Sequence, residues 1–362
     1  MERLSAPDGS TFRLRAMRAT DGDLEAFQRC FEANQMPRAA DLVRWQFAEP
    51  PVGSVYVDFA VDDRADGETV AAIYAVVPFA ASLGGRDCVA AQSLDTLTDA
   101  RYRGRGLFVA LAKRTYARLA EAGVAFVFGF PNENSMHGFF ERLEWQSLDP
   151  VPMLFRPLRV GYVLSRLGLP ARVAALAGEA RLPLPRVRLP RGCKIREVAD
   201  FDASFDALWE RFAAGIGVCL RRDAAYLRWR FRRPGAKYRV WAVDGERGTC
   251  GFVATALVAA PRVTAGYVME LIYEPERRDV GAALLAHALR ELERSGAEVA
   301  LASNFGHSPN HPAYRRAGFL SLPWRLRSEK IYFGVRALAA REGELLRARK
   351  SWYVSCCDFD TQ

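Results

Sequence analysis

Read for its apolar and polar positions, the chain repeats itself. Residues 12–33, FRLRAMRATDGDLEAFQRCFEA, alternate like a half-buried strand, offer Asp21 or Asp23 as a cap, and continue with the i, i+3, i+4 spacing of an amphipathic helix. Residues 193–214, CKIREVADFDASFDALWERFAA, run through the same order. Arg44-Trp45-Gln46-Phe47-Ala48-Glu49-Pro50 is answered by Arg228-Trp229-Arg230-Phe231-Arg232-Arg233-Pro234, and each is followed by a pair of strand-like runs. Further on, RYRGRGLFVALAKRTYARLAEAG parallels ERRDVGAALLAHALRELERSG, and Phe139 to Trp145 parallels Ala313 to Phe319. The spacing agrees too: Arg103 to Phe140 is 37 residues and Arg278 to Tyr314 is 36. A shared order of landmarks at matched intervals predicts a duplicated α/β unit of about 145 residues. The expected boundaries are a first domain at 1–155, a connecting segment at 156–194, a second domain at 195–338, and a tail of helix and strand at 339–362.

Composition changes this picture in one place. The 362 residues carry a net charge of +9, but nine basic residues from Arg156 to Lys194 face only Glu179, so the two repeats are close to neutral. The excess therefore belongs to the connecting segment and does not mark the whole protein as a nucleic-acid binder. That segment also carries Val160, Val163, Leu164, Leu167, Val173, Leu176 and Ala177 at roughly helical spacing around Gly168-Leu169-Pro170, which predicts a basic amphipathic hairpin. Either its apolar side clasps the domains or its charge docks an acidic carrier protein, an anionic membrane or coenzyme phosphates. The first residues lack the apolar run of a signal peptide, and the longest apolar stretch, Ala71 to Leu83, is too short for a membrane span and contains Pro78. With seven scattered cysteines lacking CxxC spacing, a cytoplasmic protein with reduced thiols and no metal site is expected. Cys356 and Cys357, on a strand-like run, read as core filler.

The chemistry is expected at Tyr102-Arg103-Gly104-Arg105-Gly106-Leu107-Phe108, between a strand at Val89–Leu97 and a helix at Leu107–Glu121. Glycines let backbone approach a ligand, and the first amides of the helix then face it with the positive end of the helix dipole. A pyrophosphate suits such a loop, and Arg103 and Arg105 add charge. No Gly-Lys-Ser/Thr follows, so this is not a Walker loop, and the spacing is not a Rossmann fingerprint.

Strand, RGRGLF, helix, the strand VAFVFGFPN and then FFERLEW together resemble the core of the GNAT acyltransferases. That family's Arg/Gln-x-x-Gly-x-Gly/Ala pattern is met by Arg103 and Gly106 except at Phe108, and by Arg278, Gly281 and Ala283 in full. The FGFPNENS run and the RW-x-F-x-x-P element resemble its tandem, two-domain subgroup. The resemblance implies an α/β fold of two GNAT-like domains, each a mixed, mostly antiparallel sheet flanked by helices. It implies acetyl-CoA or another acyl-CoA as donor, with pantetheine bonded by the backbone at Leu97 and Thr98. Pyrophosphate would be held by the amides of Arg103, Gly104, Arg105, Gly106, Leu107 and Phe108, while Asn132 and Ser135 would line the other side.

The two halves differ in ways that bear on activity. Asp279 stands where the first half has Gly104, and a carboxylate there opposes a pyrophosphate by on the order of 1 kcal/mol or more. The first half is therefore the expected coenzyme site. Matching Arg103 to Arg278 sets Asp95 on Glu270, and the resemblance implies a general base or amine anchor there, although a capping role is as open for Asp95. The family's general acid falls on Tyr314, while the first half has Phe140, which donates no proton. Glu144 replaces a glycine after that helix, so a left-handed backbone is expected to cost about 1 kcal/mol. His307 and His311 are four apart, but the prolines of the Ser-Pro-Asn-His-Pro run oppose the helix that would make them a metal pair, so they read as loop residues. Trp45 and Trp229, at matching positions, read as packing residues, with substrate stacking by one as the alternative. The Arg228, Arg230, Arg232, Arg233 group reads as a solvated rim or a phosphate site. The function expected is transfer of an acyl group from coenzyme A to a primary amine of a small molecule such as an amino sugar, amino acid or polyamine. The alternatives are an acyl-carrier-protein or aminoacyl-tRNA donor, or coenzyme binding without turnover.

Overall fold

The computed structural model describes residues 2–63, 68–167, 180–246, 248–261, 263–327, 330–338 and 343–359. The hairpin expected around Gly168-Leu169-Pro170 lies outside these residues.

Among the described residues, sixteen strands form two sheets. In chain order they are β1 (Glu2–Ser5), β2 (Thr11–Ala16), β3 (Tyr56–Asp62), β4 (Thr69–Leu83), β5 (Arg86–Thr98), β6 (Phe126–Gly129), β7 (Gln146–Ser147) and β8 (Met153–Pro157). There follow β9 (Lys194–Glu197), β10 (Val218–Leu220), β11 (Tyr238–Gly245), β12 (Gly248–Ala260), β13 (Val263–Tyr273), β14 (Val299–Ser303), β15 (Leu320–Ser321) and β16 (Gly334–Ala337). The helices are α1 (Asp21–Ala33), α2 (Ala40–Phe47), α3 (Leu107–Glu121), α4 (Val160–Arg166), α5 (Ala203–Ala213), α6 (Ala224–Phe231), α7 (Arg278–Arg294), α8 (His311–Arg316) and α9 (Gly343–Arg347).

The first sheet runs β1-β2-β3-β4-β5-β6-β16-β7, and the second, read from its other edge, runs β9-β11-β12-β13-β14-β8-β15; β10, from the second repeat, adds to the first sheet by pairing with the end of β4. Apart from β10 the strand orders match, as the duplication predicts, with one exchange. β16, from the second repeat, lies between β6 and β7, while β8, from the first repeat, lies between β14 and β15. A boundary at 155 therefore falls inside β8, which pairs in the second sheet. Each sheet is antiparallel except at β5–β6 and β13–β14. The tail forms α9, a single bridge from Trp352 to Val218, and a 3₁₀ turn at Cys356–Asp358 in place of the expected strand.

Apolar side chains gather in three layers. α3 covers the outer face of the first sheet through Leu107, Leu111, Tyr116 and Leu119, and α7 covers the outer face of the second through Val280, Leu284 and Leu289. Between the inner faces lies a core shared by both halves, built from α1, α2, α5, α6 and the tail residues Trp352 to Phe359. Trp45 and Trp229 meet at its margin. Their rings stack at 4.2 Å and 7°, and each indole Nε1 donates to the other's backbone oxygen, at 2.9 and 3.1 Å. Two copies of one element, related by a local twofold, make the same contact with one another.

The described residues of the connecting segment that pack on a core pack on that of the second half. Leu184, Leu189 and Cys193 pack against the second half's outer core, and Arg156 donates to Pro183 O at 2.7 Å. α4 buries none of its residues, and Leu167 is 72% exposed.

Candidate functional site

β5 and β6 run side by side from Ala90–Phe126 to Ser93–Gly129 and then part. β5 continues to Thr98, while the other chain turns away so that Asn132 bridges Ile331 beside β16. Among the described residues, no strand pairs the β6 side of Leu94 to Thr98. β5 is also bulged here: Leu94 and Leu97 oppose Ala75 and Ile73, and Asp95 takes a left-handed φ of 44°. Thr96, within the bulge, has a buried Oγ1 without a hydrogen-bond partner. An orphaned hydroxyl and an open strand edge in a slot are the groups an extended amide-bearing ligand would satisfy.

Beyond the slot the chain enters the glycine loop. Gly104 and Gly106 take φ of 79° and 77°, and a Cβ built on either would meet nothing within 4 Å. Gly106 caps α3, whose first turn contains no acidic residue. The leading amides of this 15-residue helix thus open onto space, with the positive helix end behind them. α3 is fixed to the sheet by the buried Asp58, which accepts from Thr115 Oγ1 at 2.7 Å, Arg118 Nη1 at 2.8 Å and Arg114 Nε at 3.0 Å. Of the loop cations, Arg103 is exposed. Arg105 folds back to Asp8, at 2.9 Å, and lies against Phe12 and Tyr102. Leu107 is buried, and Phe108 packs on Tyr74 and Phe139.

Asn132 serves the backbone: its Oδ1 accepts from the amides of Asn134, at 3.0 Å, and Ser135, at 3.2 Å, and from Ser135 Oγ. It starts the turn leading to Gly138–Arg142, where a Cβ on Gly138 would come within 2.8 Å of the Phe108 ring. Phe140 packs beside Gly334 of β16. Glu144 has the left-handed φ of 57° expected of its position, and Gly318, its counterpart, has 78°. Where the strands part, Ser93 Oγ donates to Tyr74 OH, which is hydrogen-bonded to Tyr116 OH at 2.6 Å, and Trp145 Nε1 donates to Tyr116 at 2.8 Å. Burial raises the Tyr116 phenol to about 12.

The aligned carboxylates have matched partners. Arg38 Nη2 donates to Asp95 at 2.5 Å, and Gln46 Nε2 donates to its other oxygen at 2.7 Å. Arg222 Nε donates to Glu270 at 2.9 Å. Arg38 lies seven residues before Trp45, and Arg222 seven before Trp229, a spacing visible in the sequence that the landmark comparison passed over. The environments differ. The Arg222 and Glu270 side chains are wholly buried, and Ser355, Tyr353 and Asp358 from the tail close the cluster. The Arg38 and Asp95 side chains are 34% and 11% exposed.

Among the described residues, side chains and the tail close the ground beside the second half's carboxylate. Asn310 Nδ2 donates to Leu271 O at 2.6 Å, and the tail packs alongside β13. Tyr314 is 2% exposed, against Phe319, and burial lifts its phenol far above the ordinary range. His307 is in a loop and bonds Trp352 O, whereas His311, expected in a loop, opens α8 with Pro312 in its first turn, where proline is tolerated, and bonds Asn304; no group of metal ligands forms among the described residues. All seven cysteines are free thiols; Cys356 and Cys357 are buried, which pushes Cys356 up to about 12.

On the α1–α2 face, opposite α3, a small pocket lies between the halves. Its walls include Trp45, Phe79, Leu94, Tyr226 and Trp229, with Gln92, Arg230 and Arg233 as polar members. Cys357 and Phe359 of the tail also line it. The four-arginine group splits accordingly: Arg228 and Arg232 pair with Asp200, while Arg230 and Arg233 reach the pocket. Trp45 and Trp229, expected to pack, line it as well. Sequence periodicity could not bring these residues together, because they come from both repeats and the tail.

Residues 15–147 match the acetyltransferase (GNAT) domain family. No curated protein matches the chain. Solved structures share its fold, among them three that each match over 92% of this chain. A probable N-acyltransferase from Enterococcus faecalis V583 is 16% identical with a TM-score of 0.61 over 74% of its length. A GCN5-related N-acetyltransferase from Anabaena variabilis ATCC 29413 is 10% identical with a TM-score of 0.64 over 75%. The Saccharomyces cerevisiae N-myristoyltransferase, solved with bound myristoyl-CoA, is 12% identical with a TM-score of 0.60 over 83%. Among the described residues no helix is long and apolar enough to cross a membrane.

Proposed function

We propose that this protein, whose residues 15–147 belong to the GNAT acetyltransferase family, is an acyl-CoA-dependent N-acyltransferase that loads its donor in the first half alone. The observations that carry the reading are the open space beside Gly104 and Gly106 at the start of α3 and the edge of β5 beyond Ser93, where pairing with β6 ends. The amides from Gly104 to Phe108 would hold the coenzyme's pyrophosphate, with the exposed Arg103 beside them. Leu97, Thr98 and the orphaned Thr96 hydroxyl would bond the pantetheine amides. The thioester would then reach the level where β5 and β6 part, and the pocket on the far face would supply the amine.

In the reaction the amine nitrogen attacks the thioester carbon, the C–N bond forms, the C–S bond breaks, and the proton lost by nitrogen is balanced by the one gained by sulfur. Asp95, next to Leu94 of the pocket wall and bonded to Gln46 of the same wall, is the carboxylate assigned to receive the ammonium proton. Glu270 and Tyr314 are assigned structural roles in the closed second half. The donor is tested by heating the protein with acetyl-CoA: it should raise the melting temperature, and Gly106→Asp should remove the rise. No rise at millimolar acetyl-CoA overturns the reading. Free thiol released with a panel of primary amines then tests turnover.

A further inference from the structure

The level at which β5 and β6 part has aromatic rings on both faces. The last pair of that ladder is Ser93–Gly129, and Gly129 is in turn the cross-strand partner of Gly334 on β16. Both glycines leave their Cα atoms bare, and the Trp145 indole lies across them. A Cβ on Gly129 would come within 2.9 Å of Ser93 O and 3.3 Å of Trp145 Cη2, and one on Gly334 within 2.8 Å of Trp145 Cε3. The indole belongs to the core under α3, is buried, and packs on Phe139 with ring centres 4.6 Å apart. Its Nε1 donates to Tyr116 OH, which continues through Tyr74 OH to Ser93 Oγ. A ring seated on two glycines, packed on a second ring and bonded through its nitrogen makes a rigid wall. Leu94, Phe128 and Phe130 belong to the shared core on the other face. Phe130 is stacked on Phe333 at 5.1 Å and met edge-on by Phe359 at 4.6 Å.

The rings therefore crowd the ground just past the point where an acyl thioester would stop. We infer that Trp145 sets the length of the acyl group, so that the donor carries acetyl or propionyl and not a longer chain. The inference rests on the acyl-CoA reading, in which the chain points from the thioester toward the Ser93–Gly129 pair. A short group stops in front of the rings. Each further methylene has to displace the indole, or Phe128 and Phe130, from positions packed at interior density. Gly129 and Gly334 thus gain a role: they let the wall stand close to the parting strands.

Calorimetry with the full chain compares coenzyme A, acetyl-CoA, butyryl-CoA and hexanoyl-CoA. Acetyl-CoA should bind, and hexanoyl-CoA should bind about tenfold more weakly. Trp145→Ala should reverse that order, because each methylene buried in the space of the lost ring strengthens binding about fourfold. Coenzyme A, which has no acyl group, should bind this variant as it binds the wild type, which separates an opened wall from a damaged fold. Trp145→Phe, with a smaller ring at the same place, should admit butyryl-CoA and still refuse hexanoyl-CoA; it reads the same limit if the alanine variant does not fold. Hexanoyl-CoA bound by the wild type as tightly as acetyl-CoA, or an order of preference unchanged in the folded variants, overturns the inference and leaves the donor site standing. Binding of neither coenzyme A nor any thioester overturns the acyl-CoA reading and the inference with it.

Discussion

The two repeats carry the same strand–loop–helix junction, and their differences explain why one can hold a ligand. In the first, Gly104 and Gly106 turn left-handed, the helix starts at Leu107, and its leading amides face open space. In the second, the helix starts at Arg278, so the counterpart of the loop is wound into α7. Asp279 accepts from its own helix at Val280 N, at 2.9 Å, and pairs with Arg277 at 3.1 Å. Burial pushes the Asp279 carboxyl up, but Arg277 and the helix amide outweigh it and hold it below the usual range. Tyr273, the counterpart of Thr98, lays its ring where a Cβ on Gly281 would stand, 2.3 Å away. An internal anion and an internal ring thus occupy the ground that the first half leaves open. A glycine motif can therefore be met in full, as at Arg278, Gly281 and Ala283, and still serve packing.

The largest effect should come from the paired arginines. Arg222→Ala leaves Glu270 and Asp358 buried with their charge uncompensated and should cost about 3–5 kcal/mol, whereas Arg38→Ala, at a partly hydrated pair, should cost about 1 kcal/mol. Urea unfolding of both variants checks the ratio; equal losses would break the assignment of a sealed second half. Next, Gly106→Asp combines a strained left-handed backbone with a charge facing the donor, at about 1 kcal/mol or more each, so acetyl-CoA affinity by calorimetry should fall tenfold to a hundredfold. Asp279→Gly should gain no binding, because Tyr273 still covers the cradle. A smaller contrast lies at the matched left-handed residues. Glu144→Gly should stabilise by about 1 kcal/mol, less whatever its contact with Arg336 contributes, while Gly318→Ala should destabilise by about the same amount. The smallest effect is in pH. Burial lowers His287 and His311 below the ordinary histidine value of 6.5. The unfolded chain then takes up protons first as pH falls, so their contribution is present in full above pH 6.5 and is lost below it. Melting temperature should drop between pH 7 and 5.5, and His311→Asn should make that drop shallower if the second half is as closed as described.

Much of this protein was legible one residue at a time. Helix α3 begins and ends at the residues its periodicity marks, the two glycines turn left-handed, and Glu144 adopts the backbone that its position in the repeat demands. These features depend on neighbours within a few residues, and a repeat shows them twice. The alignment of Asp95 with Glu270 was legible as well, since it needs only spacing. Their arginine partners stand at a repeated spacing too, but the ion pairs join residues 57 and 48 positions apart, and no local pattern shows such a contact.

The sequence by itself determined the duplication, the order of elements and the loop able to accept an anion, because side-chain period and glycine conformation are short-range properties. The tertiary structure alone decided that β8 and β16 change sheets, that the tail seals the second half, and that two tryptophans, two arginines and the tail enclose one pocket. Those outcomes depend on how two similar surfaces bury a common apolar core, and equal halves meeting around a twofold cannot both keep the same face open once a single tail fills one of them.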